Sequence, residues 1–453
     1  MINLGAELRA VAEDERAHSF ELFSRTLDMT WIRNALALTG SATVRRRKLP
    51  AEFVIWLVIG MALLRDRSID EVVRHLDLVL PSRTASGSPT EVSRSAVIQA
   101  RTRLGSSPLQ TLFHETAALW SANSADALRW RGLAVYGVDG TTLRIPDTEE
   151  NEIEFGRPYG PRGLGAYPQL RLVALMVLRS HLLVDLAVGP YHSGEQSLAH
   201  TLWERLPDHS LTIVDKNFTN YWLLHHIQNR GTECHWLLRA RSNLRWTVVR
   251  RLGPNDLLVE LPVRHVARKK HPELPRTILA RAVRYQRRGF RAQTLLTSLL
   301  DPHLYPAAEI VELYHERWEL EIGFDEVKTH TLERAEALRS KSPKRILQEL
   351  WGLAIAYNLV RLEIEHVADR LELPPRRISY RHALMLVRNF LVSAWLASPG
   401  VLPARLEALH EELTLLVLPE RRPRRYPRAV KIKMSHYPKK PPPKRRLNNP
   451  RRA

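Results

Sequence analysis

Four side chains in the segment AAEIVELYHERWELEIGFDEVKTH could act together on a phosphate: Tyr314, Arg317, Glu321 and Lys328. At 100° per residue they fall at about 0°, 300°, 340° and 320° around a helix, within one arc of roughly 60°. Leu313, Leu320, Phe324 and Val327 form an apolar stripe beside that arc, and Glu312, Glu316, Glu319 and Glu326 turn the other way. Glu321 is thus set apart from the other glutamates. Arg317 and Glu321 alone could be a surface i,i+4 pair, worth a few tenths of a kcal/mol, with Tyr314 at a core edge. A carboxylate sharing a face with a phenol, a guanidinium and an ammonium fits a second arrangement, in which the cations grip phosphate oxygens while the carboxylate binds a metal.

Two aspartates sit where an acid is costly. Asp139 lies within the apolar run AVYGVDGTT, and Asp215 closes the apolar run LTIVD. Each could simply cap the following turn. An ionised carboxylate beside a core otherwise requires a partner or a metal. If the two strands are neighbours and a helix crossing the sheet brings Glu321, the three acids make an oxygen-rich site for two Mg²⁺ held roughly 4 Å apart.

The elements that would carry these residues follow from periodicity. LAVYGVDG, LRLVALMVL, LLVDLAVG and LTIVD read as strands, the second and third joined through Arg179, Ser180 and His181 at hairpin spacing. EQSLAHTLWERL and NYWLLHHIQNR read as helices on either side of LTIVD, which predicts a mixed α/β sheet. Between 231 and 304 short alternating runs predict a β-rich insertion, after which helices continue to about 416. Residues 1–125 show helical spacing and no convincing strand. There the segment TEVSRSAVIQARTRLG could be a recognition helix presenting Arg94, Arg101 and Arg103 to DNA, or an ordinary surface helix with solvated arginines. The predicted organisation is a helical amino-terminal DNA-binding domain (1–125), a catalytic domain (126–416) interrupted by the insertion (231–304), and a basic tail (417–453).

Composition narrows the partner. The chain has 453 residues and a formal charge of +20, and fourteen Lys or Arg against one acid lie between 420 and 453. Such a tail cannot bury a core and should be disordered unless bound, and a surplus of this size points to nucleic acid, a membrane surface being the alternative. The single cysteine, Cys234, excludes an internal disulfide and a cysteine-based zinc site and fits a reducing cytosol. The longest apolar run, Phe53 to Leu64, is twelve residues, too short to cross a bilayer.

The spacing Y-x-x-R-x-x-x-E-x-x-x-x-x-x-K formed by Tyr314, Arg317, Glu321 and Lys328 resembles the signature of the insertion-sequence-four family of DDE transposases. The resemblance continues in VDGTTLRIPDT, IVDKNFTNYWLL and LRSKSPKRILQELWGLAIAYNLVR, and covers roughly 130 to 365. Lys216 and Asn217 depart from the Arg-Gly that often precedes the phenylalanine in this family, while Phe218 matches it. The resemblance implies a ribonuclease-H-like core, with Asp139, Asp215 and Glu321 binding two Mg²⁺ (or Mn²⁺) and Tyr314, Arg317 and Lys328 holding phosphates. It implies cut-and-paste transposition: hydrolysis, a hairpin on the element end, and strand transfer into target DNA. A homodimer would act on paired terminal inverted repeats, in a cytoplasmic, nucleoid-associated setting. A hairpin needs a base turned out of the stack, for which Trp246 and Trp236 are candidate platforms unless they are core residues. Two other readings stand beside this one: an inactive, transposase-derived DNA-binding protein, and a nuclease of the same fold without strand transfer.

Overall fold

The computed structural model describes residues 22–23, 26–41, 49–75, 93–160, 163–333, 337–394 and 401–420. The basic tail beyond Glu420 and its expected disorder lie outside the described residues, as do the first 21.

Every element described before residue 128 is helical: α1 (Met29–Leu38), α2 (Ala51–Leu63), α3 (Ile69–His75), α4 (Arg94–Leu104) and α5 (Ser107–Ala127). The apolar run noted above forms α2, which is apolar all round and therefore needs cover on every side. The long helix α9 (Pro343–Arg370) supplies much of it. The two helices approach so closely that a Cβ on Gly352 would lie 2.6 Å from Val58 Cγ1 and 3.1 Å from the Val58 carbonyl oxygen. The amino-terminal helices consequently share one apolar core with the rest of the protein. Polar ties reinforce the junction, among them Arg65 to Glu349 at 2.9 Å.

Nine strands form one mixed sheet: β1 (Ala134–Arg144), β2 (Gln169–Val177), β3 (Leu183–Pro190), β4 (Ser210–Val214), β5 (Cys234–Arg239), β6 (Thr247–Gly253), β7 (Asp256–Pro262), β8 (Thr277–Tyr285) and β9 (Gln293–Thr297). Their order across the sheet is β3-β2-β1-β4-β5-β9-β8-β7-β6. β1 pairs antiparallel with β2 and parallel with β4, and β4 pairs parallel with β5. The hairpin expected at Arg179–His181 joins β2 to β3, with His181 in the left-handed region at φ 65°. α6 (Tyr221–Asn229) follows β4, capped by the Asn220 side chain, which accepts from the Trp222 amide at 3.0 Å.

The expected insertion differs in one respect. Its first strand, β5, belongs to the parallel part of the sheet, and the strands from β6 to β9 prolong the same sheet through β9 pairing on β5. Alternation along a strand reveals its faces but not its edges, so the sequence could not say whether these strands make a second sheet or extend the first. Three later helices complete the path to the site: α7 (Ala307–His315) and α8 (Trp318–Asp325) before α9, and α10 (Tyr380–Ala394) after it, with α11 (Leu402–Thr414) closing the described chain.

Candidate functional site

The strand register brings the two aspartates side by side. β4 ends at Val214, opposite Val138 of β1, so Asp139 is the first β1 residue beyond its parallel neighbour and Asp215 is the residue that follows β4. Beyond this point β1 runs on to Arg144 beside β2 alone, which opens a notch in the sheet. Asp139 Oδ1 accepts from the Gly140 amide at 2.8 Å, and Asp215 accepts from the Asn217 amide at 3.4 Å. Asp215 thus caps the turn that follows β4.

Arg317 connects Glu321, on α8, to the notch. Arg317 Nη2 lies 3.0 Å from Glu321 Oε1, and Arg317 Nη1 lies 3.9 Å from Asp139 Oδ2. Tyr314 is buried, which raises its phenol above the usual range. Burial opposes the charge on Arg317, but Tyr314 and Glu321 hold its pKa above the ordinary arginine value. Lys328 Nζ lies 3.4 Å from Thr141 Oγ1, on the strand of Asp139. Arg317 and Lys328 thus contact β1, and Glu321 pairs with Arg317 beside it.

The segment that carries them is not one regular helix. It breaks at Glu316 and Arg317, where the amides bond to Leu313 and Tyr314 three residues back, and it ends in a π turn at Glu326–Thr331. Glu319 and Glu326, expected to face away, are buried, Glu319 within hydrogen-bond reach of His181 and Glu326 paired with Arg361. The wheel separates apolar from polar faces correctly, but the segment is covered on more than one side, so its second face is interior as well.

Other expectations are corrected by burial. Arg101 is buried and donates to Gln348 Oε1 at 2.8 Å and Ser340 Oγ at 3.0 Å, so it ties α4 to α9 and is not offered to DNA. Arg94 is exposed and paired with Asp70 at 2.6 Å, and Arg103 is exposed. Trp236 is fully buried in the core on the face of the sheet that α6 covers, which leaves no ring face for a base, whereas Trp246 is half-buried at that core's margin.

Two neighbours of the site went unrecognised in the sequence. Trp318 is 45% exposed, with the Arg317 guanidinium 5.3 Å from its ring centroid. Its place about 40° from Tyr314 on the helical wheel was the available signal. Glu195 accepts from Arg171 at 2.7 Å and lies against Gly140, where a Cβ would come within 2.6 Å of its carboxyl carbon. Nothing in local spacing marks Glu195, because only the return of the chain after β3 brings it beside β1. Burial, with contributions from Glu195 and Asp215, pushes the Asp139 carboxyl up to about 6.

The donor set is made of carboxylate oxygens, which suits a hard divalent cation, and a cation would relieve the crowding of Asp139 by its acidic neighbours. Among the described residues no three His, Cys, Asp or Glu side chains converge as a metal-binding group, and Glu321 is paired with Arg317.

Comparison with known proteins defines the class. Residues 130–359 match the family described as Transposase DDE domain, and residues 17–114 match Insertion element 4 transposase N-terminal. The chain is 38% identical over 417 residues to the transposase InsG for insertion sequence element IS4 of Escherichia coli K12, covering 92% of each protein. It is 35% identical over 280 residues to the putative transposase InsZ of the same organism, covering 59% of this chain and 90% of that protein. A solved piggyBac transposase synaptic complex with hairpin DNA aligns at a TM-score of 0.42 and 12% identity, over 90% of this chain and 86% of that one. The chain belongs to the IS4 family of DDE transposases. Among the described residues no helix is long and apolar enough to cross a membrane.

Proposed function

We propose that this transposase excises and integrates its insertion element by cut-and-paste chemistry on a ribonuclease-H-like core, with Asp139, Asp215 and Glu321 as ligands of two Mg²⁺ or Mn²⁺ ions. The observation that carries this reading is the register of β1 and β4, which ends at two adjacent aspartates with Arg317 linking Asp139 to Glu321. The order β3-β2-β1-β4-β5, antiparallel on one side of β1 and parallel on the other, supports the ribonuclease-H-like core.

Bound metal would supply Lewis-acid stabilisation of the scissile phosphate and activation of the attacking oxygen. The chain's own residues orient the substrate. Arg317 and Lys328, with the Tyr314 phenol on the same segment, offer donors for the phosphates of an element end, and Glu321, paired here with Arg317, would be a carboxylate ligand for the metal. Trp246 serves as the stacking surface for a base turned out at a terminal hairpin. The active form is a homodimer on paired terminal inverted repeats, which then engages target DNA.

The test is excision in cells of a marker flanked by the inverted repeats that border the gene, comparing wild type with Glu321→Gln. Release by the wild type alone is expected. Equal release by both would remove Glu321 from the chemistry, and cut products without joined 3′ ends would favour a nuclease.

A further inference from the structure

The run WGLAIAYNLVR, part of the family likeness, contributes polar residues that the phosphate chemistry does not use. Tyr357, Asn358 and Arg361 all lie on α9 and are all buried. Asn358 clamps the start of β3: its Oδ1 accepts from the Leu183 amide at 2.9 Å and its Nδ2 donates to the Leu183 carbonyl at 2.9 Å. One turn further on, Arg361 donates to Glu326 and lies against His181 Nδ1. Tyr357 Oη donates to Glu326 Oε2 at 2.8 Å, and His181 Nε2 lies 2.9 Å from Glu319 Oε2. The guanidinium also sits 5.2 Å from the Tyr380 ring centroid, on α10.

Glu319 and Glu326 are two turns apart, and they flank Glu321 and precede Lys328. The hairpin residue His181 and the α9 residues Tyr357 and Arg361 therefore grip the signature segment on both sides of its proposed catalytic glutamate. A buried ion pair recovers little beyond its own desolvation cost, and apolar residues of like volume would often stabilise as well or better. What such a network does supply is a fixed rotation. A side chain about 5–6 Å from a helix axis shifts by about 1 Å for a rotation of about 10°. A misplacement of about 1 Å can lower a rate by about a hundredfold.

We propose that Arg361, Glu326 and His181 are positioning residues of the phosphoryl-transfer site, setting the rotation of the segment that carries Glu321 and Lys328. This rests on the assignment of Glu321 to that site.

The test uses the full-length chain and a duplex carrying the element's terminal repeat. The variant Glu326→Gln/Arg361→Met removes both charges together and so avoids stranding either one. Thermal midpoint, end-binding affinity and the single-turnover rate of strand cleavage in Mg²⁺ are measured in parallel. The expected result is a folded protein with end affinity within about threefold of wild type and cleavage at least about tenfold slower, with Arg361→Lys intermediate. A stably folded double variant that cleaves at the wild-type rate would overturn the proposal. Should the double variant fail to fold, Glu326→Asp keeps the charge but shortens the reach, and wild-type cleavage by it is equally fatal. Glu321→Gln in the same assay separates the two claims, because wild-type cleavage by that variant removes the site assignment itself.

Discussion

Arg317 donates to Glu321 across 3.0 Å, one helical turn along the same face. Read as an isolated pair this would be a weak surface ion pair. Here the same guanidinium lies 3.9 Å from Asp139, so it bridges a strand carboxylate and a helix carboxylate. We expect Arg317→Gln to weaken binding of element ends by about tenfold and to slow cleavage further. Arg317→Lys should restore little of either, since an ammonium cannot present two parallel donors. Band-shift titrations and single-turnover cleavage would check this, and full recovery by lysine would mean that only the charge matters.

Asp139→Asn and Asp215→Asn are expected to abolish cleavage while leaving end binding within a few fold, because the phosphate-contacting cations remain. Retained Mg²⁺-dependent cutting by either variant would count against their role as ligands.

Burial, with Glu195 and Asp215 nearby, raises the Asp139 carboxyl to about 6 in the folded protein. An unfolded aspartate titrates near 3.9, so the folded state holds this proton more tightly and stability falls as pH rises from about 4 to about 6. The resulting deficit at neutral pH is about 3 kcal/mol. Asp139→Asn should therefore raise the thermal midpoint by a few degrees at pH 7.5 in chelator, with no gain below about pH 4. Glu195→Gln should shift the window downward by removing a like charge. Calorimetry across this range decides it, and an unchanged midpoint at pH 7.5 would refute the buried-charge account.

Arg101 and Arg103 stand two positions apart on α4 but should behave oppositely. Arg101→Ala empties a buried site and takes from Gln348 Oε1 the donor it has here, a loss of about 2 kcal/mol or more, whereas Arg103→Ala should be within about 0.5 kcal/mol of wild type. Denaturant unfolding would measure both.

Fourteen basic residues between 421 and 452 invite a salt test. Truncation after Glu420 should weaken DNA binding with little sequence bias and flatten the dependence of affinity on salt, since each lost phosphate contact releases fewer counterions. An unchanged slope would assign the tail another role.

The identities Tyr314, Arg317, Glu321 and Lys328, the strands bearing Asp139 and Asp215, and the hairpin at Arg179–His181 could all be read from local sequence. Each rests on a side-chain period or on turn chemistry that operates over a few residues. What lay beyond reach depends on residues distant in sequence. Arg101 and Trp236 are typical of DNA-contacting residue types, yet the packing of α4 on α9 and the cover over β5 bury them. Glu195 comes beside Gly140, and His181 beside Glu319 and Glu326, only when the sheet closes on its helices. The amino-acid order determined which faces are apolar and which side chains could do chemistry. Tertiary packing decided which charged groups remain accessible, because burial and pairing are properties of the assembled fold rather than of any one segment.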